Sequence, residues 1–318
     1  MAGPFRVVCF GECMIELQGE AFGAMRQTYG GDTFNTAVYL ARCGRRDGLQ
    51  VGYATAVGDD PLSAGLLQRW GAEGVDVDLV RRIPGKLPGL YQIAVDARGE
   101  RHFSYWREQS AARAYFDADS TPLEAQADQI DALYLSGISL AILSPAARER
   151  LLALAQRLRA RGAHVVFDNN YRPRLWASVE DARQNYQRIC AIASLALVTL
   201  DDEVALWGDG DRLAASLGLP CPEVVVKRGA ASTLVRAGGG VIEVPTERVE
   251  QVVDTTAAGD SFAGAYLAAR LAGAAPEVAA QAGNRLAARV VQHRGAVIAS
   301  AAMQDLLNSG SQIDHRRT

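Results

Sequence analysis

The segment Asp254-Thr255-Thr256-Ala257-Ala258-Gly259-Asp260-Ser261-Phe262 sets small residues, one glycine and one acid immediately before a helical pattern. Phe262, Ala265, Tyr266 and Ala269 recur at the i, i+3, i+4, i+7 spacing of a buried helical stripe, which puts Asp260 near a helix N-terminus. Ala257, Ala258 and Gly259 leave successive backbone N–H groups uncovered, and Gly259 tolerates backbone angles closed to other residues. Free amides and the helix dipole attract negative charge, so the turn suits an anion such as a phosphoryl group in transfer. Asp260, a carboxylate beside that group, is placed to accept the proton of an attacking hydroxyl. The same letters also suit a plain helix start, because Asp is a favoured N-cap residue.

Other residues able to bind or react are spread along the chain. After Gly30-Gly31, Asn35 offers an amide to a hydroxyl and Gly31 allows close backbone approach to a ligand; alternatively Asp32, Thr33 or Asn35 simply caps the helix that follows. Tyr91, Tyr105, Trp106 and Arg107 sit on two strand-like runs, Gly89–Asp96 and Arg101–Arg107, joined by the turn-like Ala97–Glu100. They read as an aromatic cross-strand cluster or as a lid presenting rings and a guanidinium to a ligand. Asp168, Asn170 and Arg172 directly follow an apolar run, where open α/β sheets bind ligands. Lys227, one of two lysines in the chain, closes another such run and is as well explained by a solvated strand end.

The elements that must carry these residues alternate. Apolar runs at Arg6–Glu12, Val51–Val57, Ala132–Gly137, His164–Asp168, Leu195–Leu200 and Glu223–Gly229 read as buried strands, and helical patterns at 37–42, 62–71, 144–161 and 276–292 lie between or after them. Ser144 caps one helix with Pro145 in its first turn. That rhythm predicts an α/β fold, a doubly wound and mostly parallel sheet with helices on both faces, plus a small β-lid from about 12–30 and 88–108. Leu234–Arg236 and Gly240–Pro245 add a short antiparallel edge. One domain is expected over 1–308, with a loose polar tail at 309–318.

Composition narrows the partners. At 318 residues, 49% hydrophobic and net charge −3, the chain has no field for nucleic acid or anionic lipid, so anion binding must be local. No apolar stretch of about 20 residues predicts a membrane span, and Met1–Val8 lacks a signal-peptide layout. The five cysteines are odd in number and scattered without a CxxC pair, so neither a disulfide framework nor a structural zinc site is suggested, and a reduced cytoplasm fits best.

Taken together, GECMIEL, GGDTFNTAVYLAR, LPGLY, FSYWR, YLSGISLAILSP, DNNYRPRLW, TLDDEVALWG, VVVKRG and DTTAAGDSF resemble the 2-keto-3-deoxygluconate kinase branch of the PfkB, or ribokinase-like, family of sugar kinases. The likeness spans about residues 6–300. Ala257 stands where the family's D-T-x-G-A-G-D-x-F signature commonly has Gly. The resemblance implies transfer of the ATP γ-phosphoryl group to the C6 hydroxyl of 2-dehydro-3-deoxy-D-gluconate. It implies Asp260 as base and Ala257, Ala258 and Gly259 as the anion-holding turn. Gly31, Asn35, Tyr91, Tyr105, Arg107 and Arg172 would hold the sugar acid, the two arginines suiting its carboxylate. Lys227, Arg228, Gly229, Ala258 and Gly259 would line the nucleotide, with Asn170 and Arg172 nearby. Mg²⁺ would arrive with ATP; no protein ligand to it is assigned, because Thr199 and Asp202 replace the usual Asn and Glu. Relatives often use a monovalent cation such as K⁺ near Asp254-Thr255. The lid would exclude water, and its sheet edges could join two copies of the chain. Rival readings are a fructokinase- or ribokinase-type neutral-sugar kinase, and a non-catalytic sugar-acid sensor on the same fold. A nicotinamide oxidoreductase lacks support, since no G-x-G-x-x-G follows the first strand.

Overall fold

The computed structural model describes residues 4–20, 22–95 and 101–309. Among the described residues thirteen strands fall into two sheets. The large sheet contains β1 (Arg6–Phe10), β4 (Gln50–Val57), β5 (Val80–Arg82), β8 (Ala132–Ser136), β9 (His164–Asp168), β10 (Leu195–Thr199), β11 (Glu223–Arg228), β12 (Ala231–Ala237) and β13 (Gly240–Val244), and the small one contains β2 (Met14–Gly19), β3 (Met25–Gly30), β6 (Leu90–Val95) and β7 (Arg101–Trp106).

The large sheet runs β13-β12-β11-β10-β9-β8-β1-β4-β5 and is parallel except for the β12–β13 edge. Its strands are apolar on both faces because helices cover both. Val8 and Phe10 pack into one core, while Val7 and Cys9, their alternating neighbours, pack into the other. From β1 the chain winds outward through β4 and β5, then returns to β8 and winds outward the other way. The order therefore reverses at β1 and β8, and ligand crevices open beyond the carboxyl ends of strands at such a reversal.

The small sheet runs β3-β2-β6-β7, with β2–β6 parallel and both outer pairs antiparallel. Its strand β3 has no apolar run in sequence, and its edge position explains why: its six residues pair with β2 on one side only, and Met25, Arg26 and Gln27 stay exposed. The expected turn Ala97–Glu100 and the tail beyond Ser309 lie outside the described residues. Ser144 caps Pro145–Ala160 as expected, accepting from the Ala147 amide. No described helix is long and apolar enough to cross a membrane.

Two helices matter most for the site, Asp32–Gly44 and Ala258–Leu271. They pack side by side and parallel, Thr36 lying against Asp260 and Tyr39 and Leu40 against Gly264. Gly264 permits this approach, since a Cβ there would stand 2.6 Å from the Tyr39 Cβ and 2.9 Å from the Leu40 nitrogen. Both N-termini consequently open at the same end of the molecule.

Candidate active site

Asp260 occupies the first turn of its helix, and its Oδ2 accepts a 2.8 Å hydrogen bond from Asn35 Nδ2 on the neighbouring helix. Thr36 Oγ1 reaches the Asp260 carbonyl at 3.3 Å and Tyr134 Oη at 3.2 Å. Tyr134 in turn donates to Asp168 Oδ2 at 3.3 Å, and Lys227 Nζ closes on the same oxygen at 2.9 Å. Asp32 accepts from Asn170 Nδ2 at 2.8 Å. Three carboxylates, from the starts of two helices and the end of β9, therefore lie close enough to act on one another, and the Lys227 ammonium acts on two of them, Asp168 and Asp260.

Their charge sets the protonation of Asp260. Burial, first, and the neighbouring Asp32 and Asp168 carboxylates push its pKa up to about 7, against the pull of Asn35 and Lys227. Burial likewise raises Asp32, opposed by hydrogen bonds from Ser136 and the Thr33 amide. A carboxyl group poised near neutrality is suited to taking a proton from an alcohol.

The backbone around Asp260 differs from the expectation in two ways. Ala257 is the helix N-cap and holds the left-handed conformation, φ 59°, whereas Gly259 is an ordinary helical residue. The Ala258 amide, expected to be open, donates to the Thr255 carbonyl at 3.2 Å. The helical ladder begins only at Ser261, whose amide bonds the Ala257 carbonyl at 2.9 Å, so the Gly259 and Asp260 amides lead it without a helical partner. Lys227 lies directly over Gly259: a Cβ built on it would stand 3.5 Å from Lys227 Nζ, an ordinary contact distance.

Gly31 is a glycine because a Cβ would fall 2.0 Å from the Glu12 carbonyl oxygen. It is the N-cap of the Asp32 helix, so neither Asp32, Thr33 nor Asn35 plays the capping part; all three are inside the helix, which frees Asp32 and Asn35 for the cluster. Tyr91 comes across from the small sheet. Its hydroxyl donates to Glu16 and sits 3.4 Å from where a Gly30 Cβ would be, with Asn35 Oδ1 3.6 Å from that point. Tyr105 stacks on Tyr91 with ring centroids 5.9 Å apart and is exposed. Arg107, just past β7, is buried against Glu12.

The chain as a whole can be compared with known proteins. The description "pfkB family carbohydrate kinase" matches residues 5–302. The chain belongs to this family. It is 48% identical over 305 residues to the 2-dehydro-3-deoxygluconokinase of Escherichia coli K12, covering 94% of this chain and 98% of that one. Among solved structures, a PfkB protein from Polaromonas sp. JS666 superposes with a TM-score of 0.80 at 28% identity, covering 96% and 99% of the two chains. The aminoimidazole riboside kinase of Salmonella enterica, solved with aminoimidazole riboside and an ATP analogue, gives 0.79 at 26% identity over 95% and 99%.

In this pfkB-family chain most of the expected site residues converge, and a few do not. Gly31, Asn35, Asn170, Lys227, Gly259 and Asp260 form one cluster, to which Tyr91 is joined through Gly30. Asn170, expected beside the nucleotide, is spent on Asp32. Arg172 is half exposed, bonds Asp202 at 3.4 Å, and acts on Asp32 by its charge. Arg228 is tied to the Ser232 carbonyl and Glu243, and Gly229 makes the β11–β12 turn with φ +63°, so neither touches the Asp260 cluster in the described contacts.

The oxygens nearest the expected metal positions already have partners. Thr199 exchanges backbone hydrogen bonds with the Asn169 side chain, Asp202 takes the Tyr171 amide and Arg172, and Glu203 takes Asn169. Among the described residues no group of three or more His, Cys, Asp or Glu side chains could hold a metal ion. Sequence reasoning missed Glu12, Glu16 and Tyr134, and saw Asp32 only as a cap. Glu12 had a signal, since an acid directly after the strand at the sheet's reversal point stands where ligands bind.

Proposed function

We propose that this phosphotransferase moves the γ-phosphoryl group of ATP to the C6 hydroxyl of 2-dehydro-3-deoxy-D-gluconate, a step in sugar-acid catabolism that feeds an Entner–Doudoroff aldolase. The observation that carries the reading is the Asp260 carboxylate, held by Asn35 at an open helix N-terminus beside Lys227, in a chain 48% identical to an enzyme of that name. Asp260, with its pKa near neutrality, takes the hydroxyl proton as the oxygen attacks phosphorus. The Gly259 and Asp260 amides and Lys227 stabilise the charge on the migrating group.

The nucleotide would lie along the Lys227-Arg228-Gly229 end of β11 and the first turn of the Asp260 helix. Mg²⁺ supplies neutralisation of the phosphate charge when bound, held mainly by the triphosphate and water given the occupied Thr199 and Asp202. K⁺ near Asp254-Thr255 is a further proposal. The sugar acid would contact Gly31, Asn35, Tyr91 and Tyr105, with Arg107 and Arg172 toward its carboxylate. We assign the small sheet as a lid on a single domain of 1–308, and the reaction to the cytoplasm. The exposed Met25, Phe103, Tyr105 and Trp106 on the edge strands of that lid would join two copies of the chain, which light scattering would report as a dimer mass.

An ATP-to-ADP coupled assay over 2-dehydro-3-deoxygluconate, its galactonate epimer, fructose and ribose tests the reading. The sugar acids should turn over and the neutral sugars should not, with phosphate on C6 by NMR of the product. Fructose or ribose as the best substrate would replace this reading with a neutral-sugar kinase, and no turnover at all would favour a sensor.

A further inference from the structure

Glu12 stands just beyond β1, where the sheet order reverses, and its side chain is 2% exposed; Arg107, its partner from the end of β7, is 7% exposed. A buried Arg–carboxylate pair normally closes fork to fork, two nitrogens on two oxygens. This pair has one contact, Arg107 Nη2 on Glu12 Oε2. Glu12 Oε1 and Arg107 Nε are both buried and have no hydrogen-bond partner among the described residues. Each such group costs about 1–3 kcal/mol or more in the free protein, so a folded chain keeps them where something else completes them.

Gly89 keeps the two groups free of any side chain from its own position: a Cβ there would meet Glu12 Oε1 at 2.7 Å and the Arg107 Cβ at 3.3 Å, so only a glycine lets the chain pass this close to both. The Glu12 carbonyl backs onto Gly31, the residue that starts the helix bearing Asn35. The unsatisfied pair is thus coupled through one turn to the Asn35–Asp260 contact.

We propose that Glu12 and Arg107 together form the subsite for the end of the sugar acid remote from the reacting hydroxyl. One Glu12 oxygen aims the guanidinium; the other accepts a hydrogen bond from a ligand hydroxyl, while Arg107 Nε donates to the ligand carboxylate. Glu12 is the new element, a positioning residue that also reads a donor on the substrate. The inference rests on the sugar-acid reading above.

Steady-state kinetics of the full chain test it. Glu12→Gln keeps the shape but removes the charge, and is expected to raise KM for 2-dehydro-3-deoxygluconate about tenfold or more, the loss of a hydrogen bond to a charged group. KM for ATP should move less than about twofold on that basis, because the change is confined to the sugar end. Arg107→Ala combined with Glu12→Gln should raise KM by less than the product of the single effects, since the two act as a unit. Should Glu12→Gln fail to fold, Glu12→Asp, which retains charge but loses reach, should show the same split at smaller size. An unchanged sugar-acid KM in the variant that folds, equal effects on both substrates, or strictly multiplicative effects would overturn the proposal. Water alone would then complete the two atoms, and Glu12→Gln would alter only thermal stability. If the unmutated protein phosphorylates no sugar acid, the functional reading falls first and takes this subsite with it.

Discussion

Two buried ion pairs flank the crevice, and they are built differently. Lys227 and Asp168 end adjacent regions of one rigid parallel sheet, and the aspartate oxygen is also met by Tyr134. Glu12 and Arg107 belong to different sheets, meet by one arm, and leave a donor and an acceptor open. The contrast teaches that the Asp260 end, to which we assign phosphoryl transfer, has its charges paired within the chain, whereas the Glu12–Arg107 end, to which we assign the sugar acid, leaves groups for a ligand to complete. Preorganised charge suits the end where a transition state must be stabilised. Unfilled groups suit the end that must choose its substrate, because a ligand lacking the partner leaves them buried and unpaired.

The largest effect should come from emptying the assembled end. Asp260→Asn removes the proposed proton acceptor and is expected to lower kcat by about 10²–10⁴, as for loss of a general base, with KM for ATP little changed. Near-normal turnover would remove Asp260 from the base role. The same variant should melt at a higher temperature than the parent at pH 8. The folded pKa of Asp260 lies above that of an unfolded aspartate, so its stabilising contribution is full below the unfolded value near 4 and is lost as pH rises through about 7. Ionised beside Asp32 and Asp168 it is a burden, and at pH 4 the difference between the variants should shrink.

The second experiment sets the two pairs against each other. Lys227→Met leaves Asp168, 4% exposed, without its counter-charge, and should lower the unfolding free energy by about 3 kcal/mol in urea titrations. Asp168→Asn added to it should restore part of the loss. Arg107→Met should be milder, because Glu12 already carries one unpaired oxygen and loses a single contact. The reverse order of losses would break the comparison.

A smaller effect, but one that follows directly from the cluster, is the pH profile. The free protein's kcat/KM should fall about tenfold per unit below pH 7, as Asp260 takes up a proton, and level off above it. A profile flat to pH 5 would mean that Lys227 outweighs burial and the two acidic neighbours.

The sequence disclosed the sheet better than the crevice. Runs such as Val224-Val225-Val226 are buried on both faces and read the same way in any context, so strand identity was legible from composition. Strand β3 was not, because an exposed edge has no apolar signature. Asp260, Asn35 and Lys227 were legible as candidates, but their meeting depends on Gly264 letting two helices touch, a contact between positions more than 200 residues apart. Glu12 was passed over because a lone acid after a strand carries no spacing pattern; its place beyond the first strand was its one signal in sequence, and in the structure its unpaired oxygen marks it.

The smallest expected effect bears on the assembled end at its one strained point. Ala257 holds φ 59° at the place where the sugar-kinase signature it resembles has glycine, and that conformation costs an alanine about 1–2 kcal/mol. A glycine would remove the strain but add about 0.5–1 kcal/mol of unfolded-chain entropy to be lost on folding. Ala257→Gly should therefore stabilise the protein by about 0.5–1 kcal/mol, raising Tm by about 2 °C. Turnover separates two readings of the strain. If the methyl group only burdens the turn, kcat should stay within about twofold, since no hydrogen bond to the transferred group is lost. If the stiffer residue instead holds the Gly259 and Asp260 amides on target, the glycine variant should be more stable and slower, and the preassembled end would owe part of its rigidity to a residue the family usually leaves flexible.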